Sequence, residues 1–136
     1  MPKKILIVDD DPDIVLFLST VLQDHGYHTI DAPNGQEGLE MVKAEHPDLI
    51  LLDLMMPKKS GISLLSDLRN DPDNRQIPVI MVTGVSSETG HDLEAFFKGS
   101  STGDQDSKAV TIEGYLEKPV EPEKLLNLVK KLLQSA

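Results

Sequence analysis

Three short blocks of consecutive apolar residues constrain the fold of this chain more than any other feature. They are Ile5–Val8, Leu49–Leu52 and Val79–Val82. None of them alternates polar with apolar residues, and a continuous apolar strand is what a sheet requires when both of its faces are covered. We therefore expect three central strands of a parallel sheet. Tyr27–Ile30 and Ile112–Leu116 are weaker candidates for two further strands.

Segments with the period of an amphipathic helix lie between the apolar blocks. Asp11 can cap the first, Gly26 can end it, and Asn34 can cap the second. A third predicted helix runs through Leu65, and the last predicted helix begins at Glu121. The apolar positions expected to face the core in the first helix are Ile14, Phe17 or Leu18, and Val21 or Leu22. Because strands and helices alternate, the sequence predicts an α/β fold: a doubly wound, flavodoxin-like parallel sheet of five strands in the order 2-1-3-4-5, with helices on both faces.

Size and composition exclude several classes of protein. The chain of 136 residues fits one domain over 1–136, and it contains no cysteine, which excludes disulfides, zinc-thiolate sites and cysteine nucleophiles. A net charge of −10 disfavours direct binding to nucleic acid or anionic lipid. The longest apolar run has five residues, whereas a membrane span needs about 20, so we expect a cytoplasmic protein without membrane insertion.

The polar residues of greatest interest directly follow the predicted strands. Asp9 and Asp10 come after the first apolar block, Asp53 ends the third strand, Thr83 ends the fourth, and Lys118 lies just beyond the fifth. The carboxyl ends of parallel strands share one edge of the sheet, and ligands of such sheets bind there, where the strand order reverses. The three aspartates should therefore meet in one crevice.

Carboxylates that meet in one crevice repel each other and need positive charge nearby. A hard divalent cation with oxygen ligands supplies it, and Mg²⁺ in proteins is held by one or two carboxylates, waters and a phosphate. Lys118 offers a second positive charge, and Thr83 offers a hydroxyl that can bond an anionic oxygen. An aspartate nucleophile, a metal, a lysine and a hydroxyl suffice for phosphoryl transfer.

Four stretches, in order, carry a family resemblance that spans essentially the whole chain. They are Ile5–Asp11, Asp53–Pro57 followed by Gly61, Val82–Thr83, and Tyr115–Pro119. With them the sequence resembles the receiver domain of two-component response regulators. The resemblance implies a stand-alone phosphoacceptor in a phosphorelay, which signals by phosphorylation-dependent protein binding and is not a dedicated enzyme, although it assists its own phosphorylation and dephosphorylation.

The resemblance implies a role for each matching residue at the acidic crevice. Asp53 would accept the phosphoryl group from a histidine kinase or phosphotransfer protein. Asp9 and Asp10 would hold Mg²⁺ together with Asp53 and the backbone carbonyl of Met55. The phosphorylated protein would then bind a downstream protein target.

The resemblance also implies that three further residues bind the phosphate or respond to it. Thr83 and Lys118 would bind its oxygens, and Tyr115 would move inward when the threonine is drawn to the phosphate. The Lys118–Pro119 peptide bond would be cis.

The sequence departs from the family pattern at a few places. Gly84 stands where alanine is usual, and Lys59 and Ser60 replace an apolar residue and an aspartate in the loop before Gly61. The spacing from Thr83 to Lys118 is longer than usual because of a polar insertion at about 99–111. Of these insertion residues only Ala109 and Val110 are apolar, so the segment has little capacity to bury itself.

The acidic residues near the N-terminus also partly match two other kinds of site. Asp9, Asp11 and Asp13 fit the opening of an EF-hand calcium loop, but Ile14 replaces its turn glycine and Thr20 its closing acid, which excludes that site. A haloacid-dehalogenase-type phosphatase would have threonine or valine where this chain has Asp13. The alternative that stays open is a receiver-fold scaffold that works independently of phosphorylation.

Shortening the polar insertion tests whether it is separate from the chemistry. Replacing 99–111 by a brief glycine-containing turn should preserve folding, because each doubling of loop length costs only about 0.6 kcal/mol. Phosphorylation of Asp53 should proceed at a similar rate, measured with a small phosphodonor. A shortened chain that folds but no longer phosphorylates would show that the insertion reaches the reactive crevice.

Overall fold

The computed structural model describes residues 3–53, 61–83 and 112–134. Within them lie five strands and four helices. The strands are β1 (Lys4–Val8), β2 (His28–Ala32), β3 (Leu49–Asp53), β4 (Val79–Thr83) and β5 (Gly114–Glu117); the helices are α1 (Pro12–Asp24), α2 (Gly35–Glu45), α3 (Gly61–Arg69) and α4 (Pro122–Gln134). The strands form one parallel sheet in the order β2-β1-β3-β4-β5. This confirms the predicted α/β fold and strand order.

The sheet has a hydrophobic core on each face. Alternate residues of the central strands point to opposite sides, so Leu6 and Leu52 join one core while Ile5 and Leu51 join the other. Helices α2 and α3 cover the first core, and α1 and α4 cover the second. Every residue of β3 is buried, as expected of a strand covered on both faces.

The helix starts follow the sequence signals. The Asp11 side chain accepts a hydrogen bond of 2.9 Å from the Asp13 amide and caps α1, with Pro12 in the first turn. Asn34 caps α2 by accepting a bond of 2.9 Å from the Glu37 amide. These caps fix where the chain turns from the carboxyl ends of β1 and β2 into the following helices, and so they shape the edge where the acids lie.

Several sequence predictions fall on residues outside the described part of the structure. They are the insertion at 99–111 and the departures at Lys59, Ser60 and Gly84. Among the described residues, no helix is both long enough and apolar enough to cross a membrane.

Candidate functional site

Three carboxylates converge at the carboxyl edge of the sheet, between β1 and β3. Val8 pairs with Leu52, so Asp9 and Asp53 emerge side by side as their strands end. Both are buried, at 3% and 5% exposure, whereas Asp10 is exposed. One carboxylate oxygen from each of the three lies within 4.8 Å of the others. The structure therefore brings together the three acids that the sequence predicted would meet.

Lys118 reaches this acidic cluster from the end of β5. Its Nζ lies 3.0 Å from Oδ2 of Asp9 and 3.9 Å from Oδ2 of Asp53. The lysine side chain is itself 19% exposed, so its charge is largely withdrawn from water. The Lys118–Pro119 peptide bond is cis, as expected.

Asp9 is held in a fixed orientation. Its Oδ1 accepts a hydrogen bond of 2.9 Å from the Asp11 amide, while its Oδ2 contacts Lys118. Its own amide donates to the carbonyl of Ala32 in β2 at 3.1 Å. A carboxylate with both oxygens engaged has little freedom to turn away from its neighbours. The orientation of the Asp9 carboxylate is therefore fixed, whereas Asp10 is exposed to solvent.

The donor set suits a hard divalent cation. Three carboxylates and one ammonium carry two more negative than positive charges, which matches the charge of such an ion. All three carboxylate donors are oxygen atoms. Hard cations such as Mg²⁺ and Ca²⁺ bind oxygen ligands, whereas softer metals favour nitrogen or sulfur. Part of the predicted metal set, the carbonyl of Met55, lies outside the described residues.

The structure places two further predicted residues along β4 and β5. Thr83 ends β4 and pairs with Glu117, so its backbone lies at the edge that holds the acids, although its side chain falls outside the described part of the structure. Tyr115 lies in β5, is half-buried and packs against the core under α2 and α3, with its hydroxyl oxygen inside the protein.

A groove of about 600 Å³ runs beside the acids and was not predicted. Asp9 and Asp10 are among its lining residues. Its remaining lining is Pro12, Val15, Leu16, Ser19, Asp31 and Pro33. Leu16 is 66% exposed, and Phe17, an alternative core position in the sequence, is 37% exposed while Leu18 is buried. The sequence did carry one signal for this exposed surface: Leu16 does not belong to the apolar positions of α1 that were expected to face the core.

Comparisons with known proteins show the family to which the chain belongs. The family model for the response regulator receiver domain matches residues 5–130. Protein PilH of Pseudomonas aeruginosa is 35% identical over 96% of this chain and 97% of its own length. Polar-differentiation response regulator DivK of Brucella anthropi is 31% identical over the full length of both chains. The chain spans about half the length of other relatives, such as the probable transcriptional regulator ycf27 of Porphyridium aerugineum, at 36% identity and 48% of that protein.

Solved structures give the same result. The signal receiver domain of a signal transduction histidine kinase from Syntrophus aciditrophicus superposes with a TM-score of 0.80, at 31% identity, covering 98% of this chain and 92% of that one. The chemotaxis protein CheY4 of Vibrio cholerae gives 0.78 at 29% identity, covering 98% of this chain and all of that one. The chain belongs to the response regulator receiver domain family. Receiver domains are signalling proteins of two-component systems and not dedicated enzymes.

Stability in metal-free buffer should separate two acids of the cluster. Asp53→Asn removes one of three repelling carboxylates and leaves the 3.0 Å pair of Asp9 with Lys118 intact, so the variant should be as stable as the parent or slightly more so. Asp9→Asn breaks that pair and should cost about 1–3 kcal/mol. Urea unfolding measures both values. A larger loss for Asp53→Asn than for Asp9→Asn would contradict this charge distribution.

Proposed function

We propose that the chain is the phosphoacceptor of a two-component phosphorelay, with Asp53 as the residue that receives the phosphoryl group. One observation carries this proposal: oxygens of Asp9, Asp10 and Asp53 lie within 4.8 Å of one another, with the Lys118 ammonium beside them. Repulsion among the carboxylates raises the energy of this crevice, and a divalent cation bound there would lower it and offset the negative charge of an incoming phosphoryl group. We further propose that it works in the cytoplasm, as one domain over 1–136 with an insertion at about 99–111.

Asp53 is suited to act as the nucleophile because its carboxylate lies at the end of β3, within 4.8 Å of the oxygens of Asp9 and Asp10 and 3.9 Å from the Lys118 ammonium. One of its carboxylate oxygens attacks the phosphorus of a phosphohistidine; the phosphorus–nitrogen bond breaks, and the imidazole leaves with its electron pair and takes up a proton. The product is an acyl phosphate on Asp53. In-line transfer of this kind depends chiefly on positioning and charge neutralisation. Hydrolysis of that acyl phosphate in the same crevice would return the chain to its starting state, so it assists both steps.

Asp9 and Asp10 would hold Mg²⁺ with Asp53 and the carbonyl of Met55. The ion, when bound, neutralises charge on the phosphoryl oxygens. Two observations support these roles. The orientation of Asp9 is fixed by a hydrogen bond, and Asp10 is exposed, so that an ion could reach it from solvent.

Lys118 and Thr83 would bind the phosphoryl oxygens of the product. Lys118 already lies between Asp9 and Asp53, so its ammonium needs to move little to meet a phosphate on Asp53. Tyr115 would respond to the position of Thr83, because the pairing of β4 with β5 places Tyr115 opposite Met81, two residues before Thr83. The changed β4–β5 surface would then bind a downstream protein target.

The groove beside the acids is where we propose that the phosphodonor docks. A histidine kinase or phosphotransfer protein must bring its phosphohistidine to Asp53, and a neighbouring apolar surface would hold the two proteins together. Leu16, exposed on α1 and lining the groove, supplies such a surface. The alternative function, a scaffold independent of phosphorylation, is favoured by none of these observations but is distinguished by experiment.

Phosphorylation itself provides the test of this function. The parent chain, incubated with a small phosphodonor and Mg²⁺, should form an acid-labile phosphate, and Asp53→Asn should form none because the attacking carboxylate is gone. Mass spectrometry of the intact chain measures the yield. A parent that never becomes phosphorylated would support the scaffold alternative, and equal yield on Asp53→Asn would assign the acceptor to another residue.

Replacing Leu16 separates docking from chemistry. Leu16→Asp should slow phosphotransfer from a protein donor by about tenfold, since a desolvated apolar contact at an interface is worth about 1–2 kcal/mol. Its reaction with a small phosphodonor should match that of the parent. Asn127→Asp on α4, an exposed position away from the groove, is the control. Equal loss with both donors would mean that Leu16 affects the site itself, and no loss with either would remove the groove from docking.

A further inference from the structure

A buried arginine at the end of α3 binds the beginning of β5. The Arg69 side chain is 7% exposed, and its Nη2 lies 2.7 Å from Oε1 of Glu113. Its Nη1 donates to the carbonyls of Arg75 and Ile77, both at 2.9 Å. Arg69 therefore connects three segments: the helix that carries it, the link from α3 to β4, and the residue that precedes β5.

Glu113, which Arg69 holds in place, forms two hydrogen bonds with Val79, the first residue of β4. Its amide donates to the carbonyl of Val79 at 2.9 Å, and its Oε1 accepts from the amide of Val79 at 2.7 Å. One glutamate thus satisfies both backbone groups of Val79, and Arg69 holds the glutamate in that position. The result is a fixed first rung between β4 and β5, at the opposite edge of the sheet from the acids.

The rung sets the register of everything that follows in β5. Gly114 pairs with Ile80 and Tyr115 with Met81, and the pairing ends where Glu117 lies opposite Thr83, one residue before Lys118. A slip by one residue would move Lys118 by about 3.3 Å and turn every side chain of β5 to the other face. The contact of Lys118 with Asp9 at 3.0 Å depends on this register.

The remainder of β5 specifies its register weakly. The strand has four residues and lies at the edge of the sheet; of its side chains only Leu116 is buried, at 9% exposure, while Tyr115 is half-buried against the core. The chain between β4 and β5 spans residues 84–113, and a connection of this length restricts the pairing of the strands that it joins much less than a tight turn does. Because β5 has so few buried side chains of its own, contacts with residues outside the strand are needed to fix its register against β4.

We propose that Arg69 and Glu113 are positioning residues for the phosphoacceptor site, because they lock the register of β5 and so place Lys118 beside Asp9 and Asp53. The pair acts from the far end of the strand and touches none of the reacting groups. This inference rests on the proposed phosphoacceptor function for one of its two readouts. The other readout, the pairing of β5 itself, does not depend on that function.

The test compares Glu113→Gln and Glu113→Ala with the parent under conditions where all are folded by circular dichroism. Gln keeps an acceptor for the Val79 amide but removes the charge that Arg69 faces, whereas Ala removes both. Glu45→Gln is the matched control, since Lys4 and Glu45 form a 3.0 Å pair near the same sheet edge, at β1. There the hydrogen bond from Lys4 lowers the pKa of the Glu45 carboxyl, with little burial to alter it.

The first readout is hydrogen exchange of the β5 amides that donate to β4, which are every second amide of this edge strand. Both Glu113 variants should speed this exchange, Ala more than Gln, while the amides of β1 and β3 stay as protected as in the parent. Glu45→Gln should leave β5 unchanged. If β5 exchanges at the parent rate in Glu113→Ala, the lock does not exist and the inference fails, whatever the phosphorylation assay shows.

The second readout is the rate of phosphorylation by a small donor, in a double-mutant cycle with Lys118→Met. Glu113→Ala should slow the parent at least about tenfold, because a displacement of about 1 Å can cost up to about a hundredfold. In the Lys118→Met background the same change should have no further effect. An equal slowing in both backgrounds would show that Glu113 does not act through Lys118. An unreactive parent would instead remove the proposed function and leave the exchange result to stand alone.

Discussion

Repulsion among three carboxylates held within 4.8 Å of one another is the interaction on which the rest of this site depends. Asp9 and Asp53 cannot escape it, because both are buried at the ends of paired strands whose apolar residues fill the two cores. Lys118 offsets part of that repulsion, with its Nζ 3.0 Å from Asp9 and 3.9 Å from Asp53. The remaining negative charge makes the crevice receptive to a divalent cation, and with the cation in place it becomes receptive to a phosphoryl group.

The fold holds this unfavourable arrangement from both edges of the sheet. At the carboxyl edge, the Asp11 amide and Lys118 engage the two oxygens of Asp9. At the amino edge, Arg69 and Glu113 bind the start of β5, whose far end carries Lys118. A change at the reactive crevice that alters β4 or β5 therefore acts on strands whose first rung is fixed, so displacement should be concentrated toward their carboxyl ends.

Much of this architecture could be predicted from the sequence because its determinants are local. Continuous apolar blocks define buried parallel strands, Asp11 and Asn34 define helix starts, and the strand ends bring the acids to one edge. Two features could not be predicted. The exposure of Phe17 depends on the way α1 rotates over the sheet, because the spacing of apolar residues left Phe17 and Leu18 equally suitable for the core. The Arg69–Glu113 pair joins residues far apart in sequence, and an isolated arginine and glutamate carry no pattern that links them.

If the three aspartates form a cation site whose occupation relieves their repulsion, the free energy of unfolding of the chain must depend on the Mg²⁺ concentration. At constant ionic strength, the parent chain should gain about 1.4 kcal/mol when Mg²⁺ is raised from zero to ten times its dissociation constant. Asp10→Ala should gain much less at the same concentrations, because it lacks one oxygen donor. A parent that gains nothing, or an Asp10→Ala variant that gains as much as the parent, would contradict the account.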